Sequence, residues 1–428
     1  MQLGRRNPNS DKLFIRLGLA YLSAHLKANG HDVSLIDLRT LTGWEEYEER
    51  LREEKPDWLG VSVMSIELGI SREAALRAKN ILPNILCVAG GSHPTSNPED
   101  LIGQEYGFDY VIKGEGEVSF PELIKNPDQF DSVFWGKSIN LDNVLIADRT
   151  IWDDFQQRTM TDPFGLPGYR FPLPFAEIIN IRGCPYQCSF CFGPGEQNMY
   201  TKETTGGKRI ANIRGRSVEN VMQELHFLCD TYGVKSVMFH DDHFLMSKAW
   251  CLDFCQALHE HGFVDAGLKW VTSIKADAIC KHEDVIHKMG EAGLEMLIIG
   301  YESFSPRVLK WFNKTATREQ NLEAAKICKE AGIKVWANYI LGVPTDTGWH
   351  PEDDLMTVGA VLETDPMHYS PSFLTAVPGS PLYDYYKDND LILGDMSAES
   401  LGERGPLAAK LKGVDYDFLS SIVVTDAG

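Results

Sequence analysis

Short apolar runs alternate with amphipathic stretches over the first 145 residues, a pattern typical of a parallel sheet with connecting helices. Apolar residues 17–26 recur at helical spacing, Gly30 ends that helix, and a strand is predicted over 33–38. Further strands are predicted at 58–65, 85–91 and 110–117, with a helix over 72–81. We therefore predict an α/β fold with a Rossmann-like, doubly wound sheet over 1–145. Its first strand, confined to residues 1–5, is very short or absent.

A second series of alternating strands and helices begins at Phe175. Its strands are predicted at residues 176–181, 236–242, 268–274, 296–302, 335–342 and 368–373. Its helices are predicted over residues 218–232, 248–259, 282–292 and 319–332. Six parallel strands with intervening helices predict a (β/α)6 barrel, open or complete, over 175–390, with its chemistry after the strand C-terminal ends. Residues 146–174 resemble a surface linker, and 391–428 a tail that covers one mouth of the barrel.

Composition narrows the class of protein. The chain has 428 residues, 43% hydrophobic and 24% charged, which excludes disordered chains and small disulfide scaffolds. With 41 basic and 61 acidic residues, its net charge of −20 disfavours nucleic acid as a partner, because phosphate binding needs clustered Lys and Arg. The sequence contains no apolar run of about 18 residues and no signal-peptide core. We therefore expect a cytoplasmic protein with no membrane partner.

The strongest chemical signal is a group of three cysteines directly after the first predicted barrel strand. Cys184, Cys188 and Cys191 are spaced Cys-x-x-x-Cys-x-x-Cys within RGCPYQCSFCFGP. A structural zinc ion needs four N or S ligands, and no fourth Cys or His lies nearby. Three thiolates on one loop instead suit three corners of a [4Fe–4S] cluster, leaving one iron to hold a substrate or cofactor. The other six cysteines are interpreted as small buried hydrophobes: Cys87, Cys229, Cys251, Cys255, Cys280 and Cys328.

This spacing, with Phe190 before the last cysteine, resembles the radical S-adenosylmethionine (SAM) superfamily over about residues 175–390. In that family the open iron chelates the amino and carboxylate groups of SAM, and electron transfer cleaves SAM to methionine and a 5′-deoxyadenosyl radical. The resemblance implies a [4Fe–4S] cluster and SAM as cofactors. It also implies a flavodoxin or ferredoxin as electron donor and places Phe190 in the SAM site.

Two segments after the second and third strands resemble SAM-binding elements of the family. FHDDHF implies that Asp241 or Asp242 binds the methionyl amino group, and a carboxylate suits an ammonium. TSIKADAI implies that Ser273 and Lys275 contact the methionine carboxylate or the ribose. Lys275 stands where many relatives have Arg, so a bidentate clamp becomes a point charge. Taken singly, each could be a surface charge or part of a turn.

Three later segments also resemble the family. IIGYESF resembles its Gly-x-Glu-Ser signature and places Glu302 near the ribose hydroxyls. YILGVPTDT resembles the element that shapes the adenine pocket through backbone groups, here at Gly342 and Pro344, with Asp346 replacing the usual Glu. TAVPGSPLY resembles the segment that closes the sixth strand. The order of these elements after successive strands makes a joint accident improbable.

Five side chains are candidates for a substrate pocket. His240 and His243 flank the acidic pair and could contact substrate or act as acid or base, with ordinary packing as the alternative. Trp270, Asn338 and His368 are expected to point into the barrel, where a substrate would lie.

The N-terminal half resembles the cobalamin-binding domain that precedes the barrel in one branch of radical SAM enzymes. The resemblance rests on LGLAYLSAHLKANGHDVSLID, PDWLGVSVMS, VAGGSHPT and FDYVIKGEGEVSFPELI. It implies that cobalamin lies against two loops at strand C-terminal ends, formed by Gly90, Gly91, Ser92, His93, Gly114, Glu115 and Gly116. No Asp-x-His-x-x-Gly motif supplies a lower cobalt ligand. A domain that only supports the barrel is the alternative; dinucleotide binding is weaker, since no GxGxxG follows the first strand.

Together the two resemblances imply a class B radical SAM methyltransferase that methylates an unactivated carbon of a small-molecule or natural-product intermediate. One alternative keeps the radical but omits the methyl donor, giving rearrangement, cyclisation, epimerisation or oxidation. A second alternative is a non-catalytic Fe–S sensor, which would need the cysteines but no nucleoside pocket.

Overall fold

The structure is a computed structural model that describes residues 14–193, 213–393 and 410–425. The chain divides into two compact units. Of the described residues, the first unit comprises 14–158 and 377–379, and the second comprises 159–193, 213–376, 380–393 and 410–425.

The first unit is built on a four-stranded parallel sheet in the order β1-β2-β3-β4. Its strands are β1 Trp58–Ser62, β2 Leu86–Gly90, β3 Tyr110–Lys113 and β4 Val133–Trp135. Its helices are α1 Leu17–Ala28, α2 Trp44–Glu54, α3 Leu68–Ile81, α4 Ser92–Ser96 and α5 Ser119–Lys125. Along β2, Cys87 and Ala89 pack with α2 and α3, whereas Val88 packs with α1 and α5. Helices therefore cover both faces of the sheet, which confirms the Rossmann-like α/β prediction.

The strand predicted at residues 33–38 is wrong. The exposure of these residues partly alternates, but the segment belongs to no sheet of the described residues. A strand needs a neighbouring strand to receive its backbone hydrogen bonds. Residues 14–16, the described part of the chain before α1, form no such strand. The predicted first strand at residues 1–5 lies outside the described residues.

The second unit contains a six-stranded parallel sheet whose order follows the chain, β5 to β10. Its strands are β5 Phe175–Ile178, β6 Ser236–Phe239, β7 Lys269–Ser273, β8 Leu294–Glu302, β9 Lys334–Leu341 and β10 His368–Phe373. Each lies within a few residues of its predicted position. In the described part of the chain β5 and β10 are not paired, so the (β/α)6 barrel is open.

Helices connect and cover these strands. They are α6 Val218–Tyr232, α7 Lys248–Glu260, α8 Ala276–Lys281, α9 Glu283–Glu291, α10 Pro306–Trp311, α11 Arg318–Glu330, α12 Pro351–Glu363, α13 Pro381–Asp388 and α14 Tyr416–Ile422. The α6 bounds follow from local chemistry: the Ser217 side chain accepts a hydrogen bond from the Asn220 N–H, and Gly233 ends the helix at φ 67°. A capping box between Thr317 and Gln320 begins α11 in the same way.

The alternation of strand residues determines which side chains face the barrel interior. Along β9, Ala337 and Tyr339 belong to the core beneath the helices, so Trp336 and Asn338 face the interior. His368 on β10 pairs with Trp336 and shares that face. The carboxyl ends of all six parallel strands meet at one edge, and the predicted cluster and SAM residues of the described chain lie at or shortly after these ends.

Candidate active site at the ends of the barrel strands

The three cysteines of the predicted cluster site lie together on the loop after β5. The Cys191 N–H donates to the Cys188 carbonyl at 3.2 Å. Burial, with added repulsion from the negative charges of Asp242, Cys188 and Cys184, raises the pKa of the Cys191 thiol to about 11. With this pKa the thiol is neutral at pH 7, and a bound iron would favour the thiolate form that ligates it. This donor set therefore fits a cluster held by three cysteines.

Asp241 holds the chain that leads into this loop. Its carboxylate, 3% exposed, accepts hydrogen bonds through Oδ1 from the backbone N–H groups of Asn180 at 2.8 Å and Ile181 at 2.9 Å. Oδ2 is buried and accepts no hydrogen bond from the described residues. Burial raises the pKa of Asp241 to about 7, although these donors act against the rise. Asp241 is therefore a support for the backbone and is closed to a ligand.

Asp242, the next residue, reaches solvent. Its carboxylate lies near Cys184 and Cys191, where its charge contributes to their raised pKa after the larger effect of burial. Removal of water by surrounding protein raises the pKa of Asp242 itself. Of the two acidic candidates, Asp242 is the one that a cationic ligand group beside the cysteines can reach.

Lys275, directly after β7, brings a buried positive charge to the cysteine loop. Its Nζ lies 3.4 Å from the ring centroid of Tyr186, within the loop, and donates to Thr315 Oγ1 at 2.9 Å. Burial, followed by repulsion from the Lys314 ammonium, lowers the pKa of Lys275. No carboxylate of the described residues lies within 4.0 Å of its Nζ. An anionic ligand group would offset both the burial of the Lys275 ammonium and its repulsion by Lys314. The adjacent Ser273 faces the barrel interior opposite Ile298.

Glu302 ends β8 in the left-handed region, with φ 60°. Its Oε1 lies 3.5 Å from Nζ of Lys314, which also donates to the Gly300 carbonyl at 2.7 Å. A Cβ at Gly300 would lie 2.3 Å from Glu302 Oε1. Gly300 therefore makes room for the folded-back carboxylate, which gives a physical reason for the glycine of Gly-x-Glu-Ser.

The element after β9 packs against the C-terminal tail. Gly342 has φ 71°, and a Cβ there would lie 2.6 Å from Cδ1 of Leu419 in α14. The Gly342 N–H donates to Asp354 at 2.9 Å, and burial raises the pKa of that carboxyl to about 6. The Pro344 carbonyl accepts from the Tyr386 hydroxyl at 2.7 Å. Adenine binding by this backbone stays a prediction.

Trp270 is not in the barrel interior, so that prediction is wrong. The side chain is 1% exposed and packs against Phe239, Phe244 and Phe254, the last on α7. Its indole N–H donates to the Ala292 carbonyl at 3.0 Å, after α9. Trp270 therefore belongs to the core between strands and helices.

Asn338 and His368 do face the interior. Asn338 Oδ1 accepts from the Trp336 indole at 2.9 Å, and the His368 ring lies edge-on to Trp336 with centroids 4.2 Å apart. His240 reaches solvent, with its Nε2 3.8 Å from Glu177. His243 is packed edge-on to Tyr186, and burial lowers its pKa to about 4, so it is neutral at pH 7.

In the first unit, the loops after β2 and β3 are tied together at one edge of the sheet. Thr95 Oγ1 donates to the Gly91 carbonyl at 2.7 Å and accepts from the Gly114 N–H at 2.9 Å. Gly91 has φ 113°, and a Cβ there would lie 2.8 Å from the Val63 carbonyl oxygen. Gly91 is thus required by packing of this edge itself. The neighbouring Ser92 is exposed, and Glu115 and Gly116 are half-buried.

His93, in α4, points into the protein. Its Nδ1 lies 3.0 Å from Ser65 Oγ and its Nε2 lies 3.3 Å from an Asp100 carboxylate oxygen. Burial lowers its pKa. The imidazole is therefore not presented to a ligand. The open edge of small residues fits a bulky flat cofactor that takes no histidine from this loop.

Sequence reasoning missed Lys314 and the residues beside it. Lys314 follows α10 in no motif, yet its ammonium lies against Gly300 and Glu302. No sequence signal marked Lys314, because it lies 12 residues after Glu302 and its burial is seen only in the structure.

Comparison with known proteins agrees with these two units. The B12 binding domain family matches residues 9–124, and the Radical SAM superfamily matches 178–358. An uncharacterised methyltransferase of Pyrococcus horikoshii is 28% identical over 88% of this chain and 79% of its own length. The anaerobic magnesium-protoporphyrin IX monomethyl ester cyclase of Cereibacter sphaeroides is 24% identical over 86% of this chain, which spans 60% of the cyclase.

Two solved structures share the fold of both units. The radical SAM methyltransferase TsrM from Kitasatospora setae, with cobalamin and a [4Fe–4S] cluster bound, gives a TM-score of 0.65 at 17% identity, over 88% of this chain and 75% of TsrM. The cobalamin-dependent SAM radical enzyme OxsB, with aqua-cobalamin and SAM bound, gives 0.65 at 19% identity, over 88% of this chain and 53% of OxsB.

The chain therefore belongs to the radical SAM superfamily. Within it, the chain belongs to the branch that carries an N-terminal B12-binding domain and is a cobalamin-dependent radical SAM enzyme. Its cofactors are a [4Fe–4S] cluster, SAM and cobalamin. A search of the described residues finds no helix with the length and apolar character needed to cross a membrane.

Proposed function

We propose that this enzyme transfers a methyl group to an unactivated carbon of a small molecule. The observation that carries the proposal is the joint presence, in one chain, of the cysteine-bearing barrel and the B12-binding domain. Relatives named for methyl transfer support it. They include the Pyrococcus methyltransferase and the hopanoid C-3 methylase of Methylococcus capsulatus, which is 24% identical over 80% of this chain.

When bound, the cluster and SAM supply a hydrogen-abstracting radical, and cobalamin supplies the methyl group. The protein supplies orientation and charge. Cys184, Cys188 and Cys191 hold the cluster. Asp242 is proposed to bind the SAM ammonium, because it is an open carboxylate beside the cysteines.

The remaining SAM groups are assigned by charge and position. Lys275 is proposed to bind the methionine carboxylate, since its buried ammonium has no carboxylate partner among the residues that the structure describes. Glu302 is proposed to accept hydrogen bonds from the ribose hydroxyls, and Lys314 fixes its carboxylate. Substrate is proposed to contact Asn338 and His368, whose side chains line the interior of the barrel.

A second candidate is radical oxidation or ring closure without methyl transfer. This candidate is favoured by similarity to the cyclase of Cereibacter sphaeroides. It is also favoured by the cyclase of Rubrivivax gelatinosus, 24% identical over 77% of this chain, and that of Synechocystis, 26% identical over 76%. In this case the B12-binding domain would supply no methyl group.

The test measures both products of SAM. Anaerobically reconstituted enzyme is incubated with SAM, a reductant and hydroxocobalamin, and 5′-deoxyadenosine and S-adenosylhomocysteine are counted. Methyl transfer predicts both products, with S-adenosylhomocysteine absent when cobalamin is left out. 5′-Deoxyadenosine with no S-adenosylhomocysteine would favour the second candidate. Cys188→Ala should remove 5′-deoxyadenosine, whereas the buried Cys328→Ala should keep it.

A further inference from the structure

Residues 311–315 comprise the last residue of α10 and the first four residues of its connection to α11, and they belong to no motif of the sequence. We call Trp311, Phe312, Asn313, Lys314 and Thr315 the bridging segment. Asn313 adopts φ 51°, a left-handed conformation that Asn tolerates better than most residues. This bend ends α10 and places successive residues against different parts of the site.

Three hydrogen bonds join the bridging segment to the residues on either side of Cys188. The Ser189 N–H donates to the Phe312 carbonyl at 2.9 Å, and the Ser189 hydroxyl donates to the Trp311 carbonyl at 2.7 Å. The Asn313 side-chain amide donates to the Gln187 carbonyl at 2.7 Å. In addition, the rings of Phe190 and Phe312 lie 4.6 Å apart. The middle of the cysteine loop therefore takes its position from this segment.

The other end of the bridging segment contacts the residues assigned to SAM. Lys314 donates to the Gly300 carbonyl and lies beside Glu302. Thr315 Oγ1 accepts from Lys275 at 2.9 Å and donates to Asp277 Oδ2 at 2.5 Å. Two consecutive residues thus connect with the proposed ribose and carboxylate ligands.

We propose that the bridging segment couples occupancy of the SAM site to the position of the cysteine loop, with Asn313 as the positioning residue. The inference rests on the proposed SAM roles of Glu302 and Lys275. Ligand bound by those side chains fixes Lys314 and Thr315, and Asn313 transmits their position to Gln187 beside Cys188. The cluster and the bond to be cleaved are thereby held in register, which matters because a small misplacement slows a reaction strongly.

Two variants break this connection in different ways. Asn313→Asp keeps the shape but replaces the amide donor with a carboxylate facing the Gln187 carbonyl. Asn313→Gly tolerates the left-handed backbone and removes the donor without adding charge. Asn29→Asp is the matched control, because the exposed Asn29 also donates its amide to a backbone carbonyl, that of His25 at 2.8 Å, in the first unit.

The experiment uses the anaerobically reconstituted full chain. Iron per chain, the electron paramagnetic resonance signal of the reduced cluster with and without SAM, and the kinetics of 5′-deoxyadenosine formation are measured. Both Asn313 variants should keep wild-type iron. The SAM-induced change in the resonance signal should shrink. The kcat for 5′-deoxyadenosine should fall about 10-fold or more while the KM for SAM changes less than about threefold. Asn29→Asp should match the wild type throughout.

Three outcomes would overturn the inference. Asn313 variants that match Asn29→Asp would show that the connection has no effect on SAM cleavage. Loss of iron from Asn313→Gly, but not from Asn29→Asp, would assign the segment a purely structural role. Wild-type enzyme that forms no 5′-deoxyadenosine would remove the proposed function, and this inference with it. A negative result confined to the Asn313 variants would remove this inference alone.

Discussion

Asp241 Oδ1 accepts a hydrogen bond from the backbone N–H of Ile181 at 2.9 Å, on the stretch of chain that leads from β5 toward Cys184. A buried carboxylate thus holds the backbone just before the cluster cysteines. The carboxylate of its neighbour Asp242 is instead open to solvent and lies beside the thiols. Of these two adjacent aspartates, Asp241 therefore supports the backbone, and Asp242 is the one proposed to bind the ligand.

Substitution of the two aspartates should have different effects. Asp241→Asn retains an oxygen that can accept both backbone hydrogen bonds, so SAM binding should survive. Asp241→Ala loses both bonds and should lower the free energy of unfolding by about 2–3 kcal/mol. Asp242→Asn should leave the melting temperature unchanged and weaken SAM binding about 10-fold or more, because an ammonium loses its charged partner. Calorimetric SAM titration measures the binding, and thermal melts measure the stability. Weaker SAM binding in Asp241→Asn than in Asp242→Asn would contradict the assignment of Asp242 to the SAM ammonium.

The pKa of Asp241 predicts a pH dependence of stability. Burial raises this pKa to about 7 in the folded protein, whereas the pKa of an unfolded Asp is about 3.9. The folded state therefore keeps a proton that the unfolded state releases, and this group's contribution to the free energy of unfolding falls as pH rises from about 4 to about 7. Above pH 7 the contribution is constant. Melts of wild type and Asp241→Asn should diverge across this window in favour of Asn; a pH-independent difference would refute the prediction.

Gly300→Ala should displace the Glu302 carboxylate. The new Cβ would lie 2.3 Å from Glu302 Oε1, so the side chain must leave its place beside Lys314. We expect the KM for SAM in 5′-deoxyadenosine formation to rise about 10-fold, the value of one lost hydrogen bond between charged and neutral groups. Gly359→Ala on α12 is the control, since its Cβ meets nothing within 4 Å and Ala favours the helix. Equal KM values for the two variants would remove the ribose role of Glu302.

Single cysteine substitutions should divide the thiols into two classes. Cys184→Ala, Cys188→Ala or Cys191→Ala should each reduce iron after reconstitution, because a cluster held by three thiolates tolerates few losses. Cys251→Ala and Cys328→Ala, both in helices and fully buried, should retain iron and lose only stability. Iron and sulfide counts decide the matter. Retained iron without Cys188 would contradict the cluster assignment.

Much of the fold was predictable because strand periodicity is a local property. All six barrel strands follow from short apolar runs, and α6 is bounded by Ser217 and Gly233, whose effects act within a few residues. The strand at 33–38 could not be excluded from sequence, because a strand depends on a neighbour elsewhere in the chain, and none of the described residues pairs with this segment. Trp270 was misplaced for a related reason. Alternation puts it on the opposite face of β7 from Ser273, but only packing against α7 shows which of the two faces belongs to the core.

The site was predictable where backbone geometry demanded a residue type. Gly300 and Gly342 carry signals because a Cβ at either position would collide with Glu302 or Leu419. Asn313 and Lys314 carry no such sequence signal, because any donor of suitable length could serve. Their hydrogen-bond partners are also distant in sequence, 126 residues away for Asn313 and 12 or more for Lys314. Only the structure separates Asp241 from Asp242.

The presence of both a [4Fe–4S] cluster and cobalamin in one chain is tested by counting cofactors in enzyme purified anaerobically from cobalamin-fed cells. Iron, sulfide and cobalt are measured per chain beside an ultraviolet–visible spectrum. We expect about four irons, from the cluster that three thiolates hold, and about one cobalt, bound at the sheet edge near Gly91 and Gly114. Four irons with no cobalt, even after reconstitution with hydroxocobalamin, would contradict this expectation.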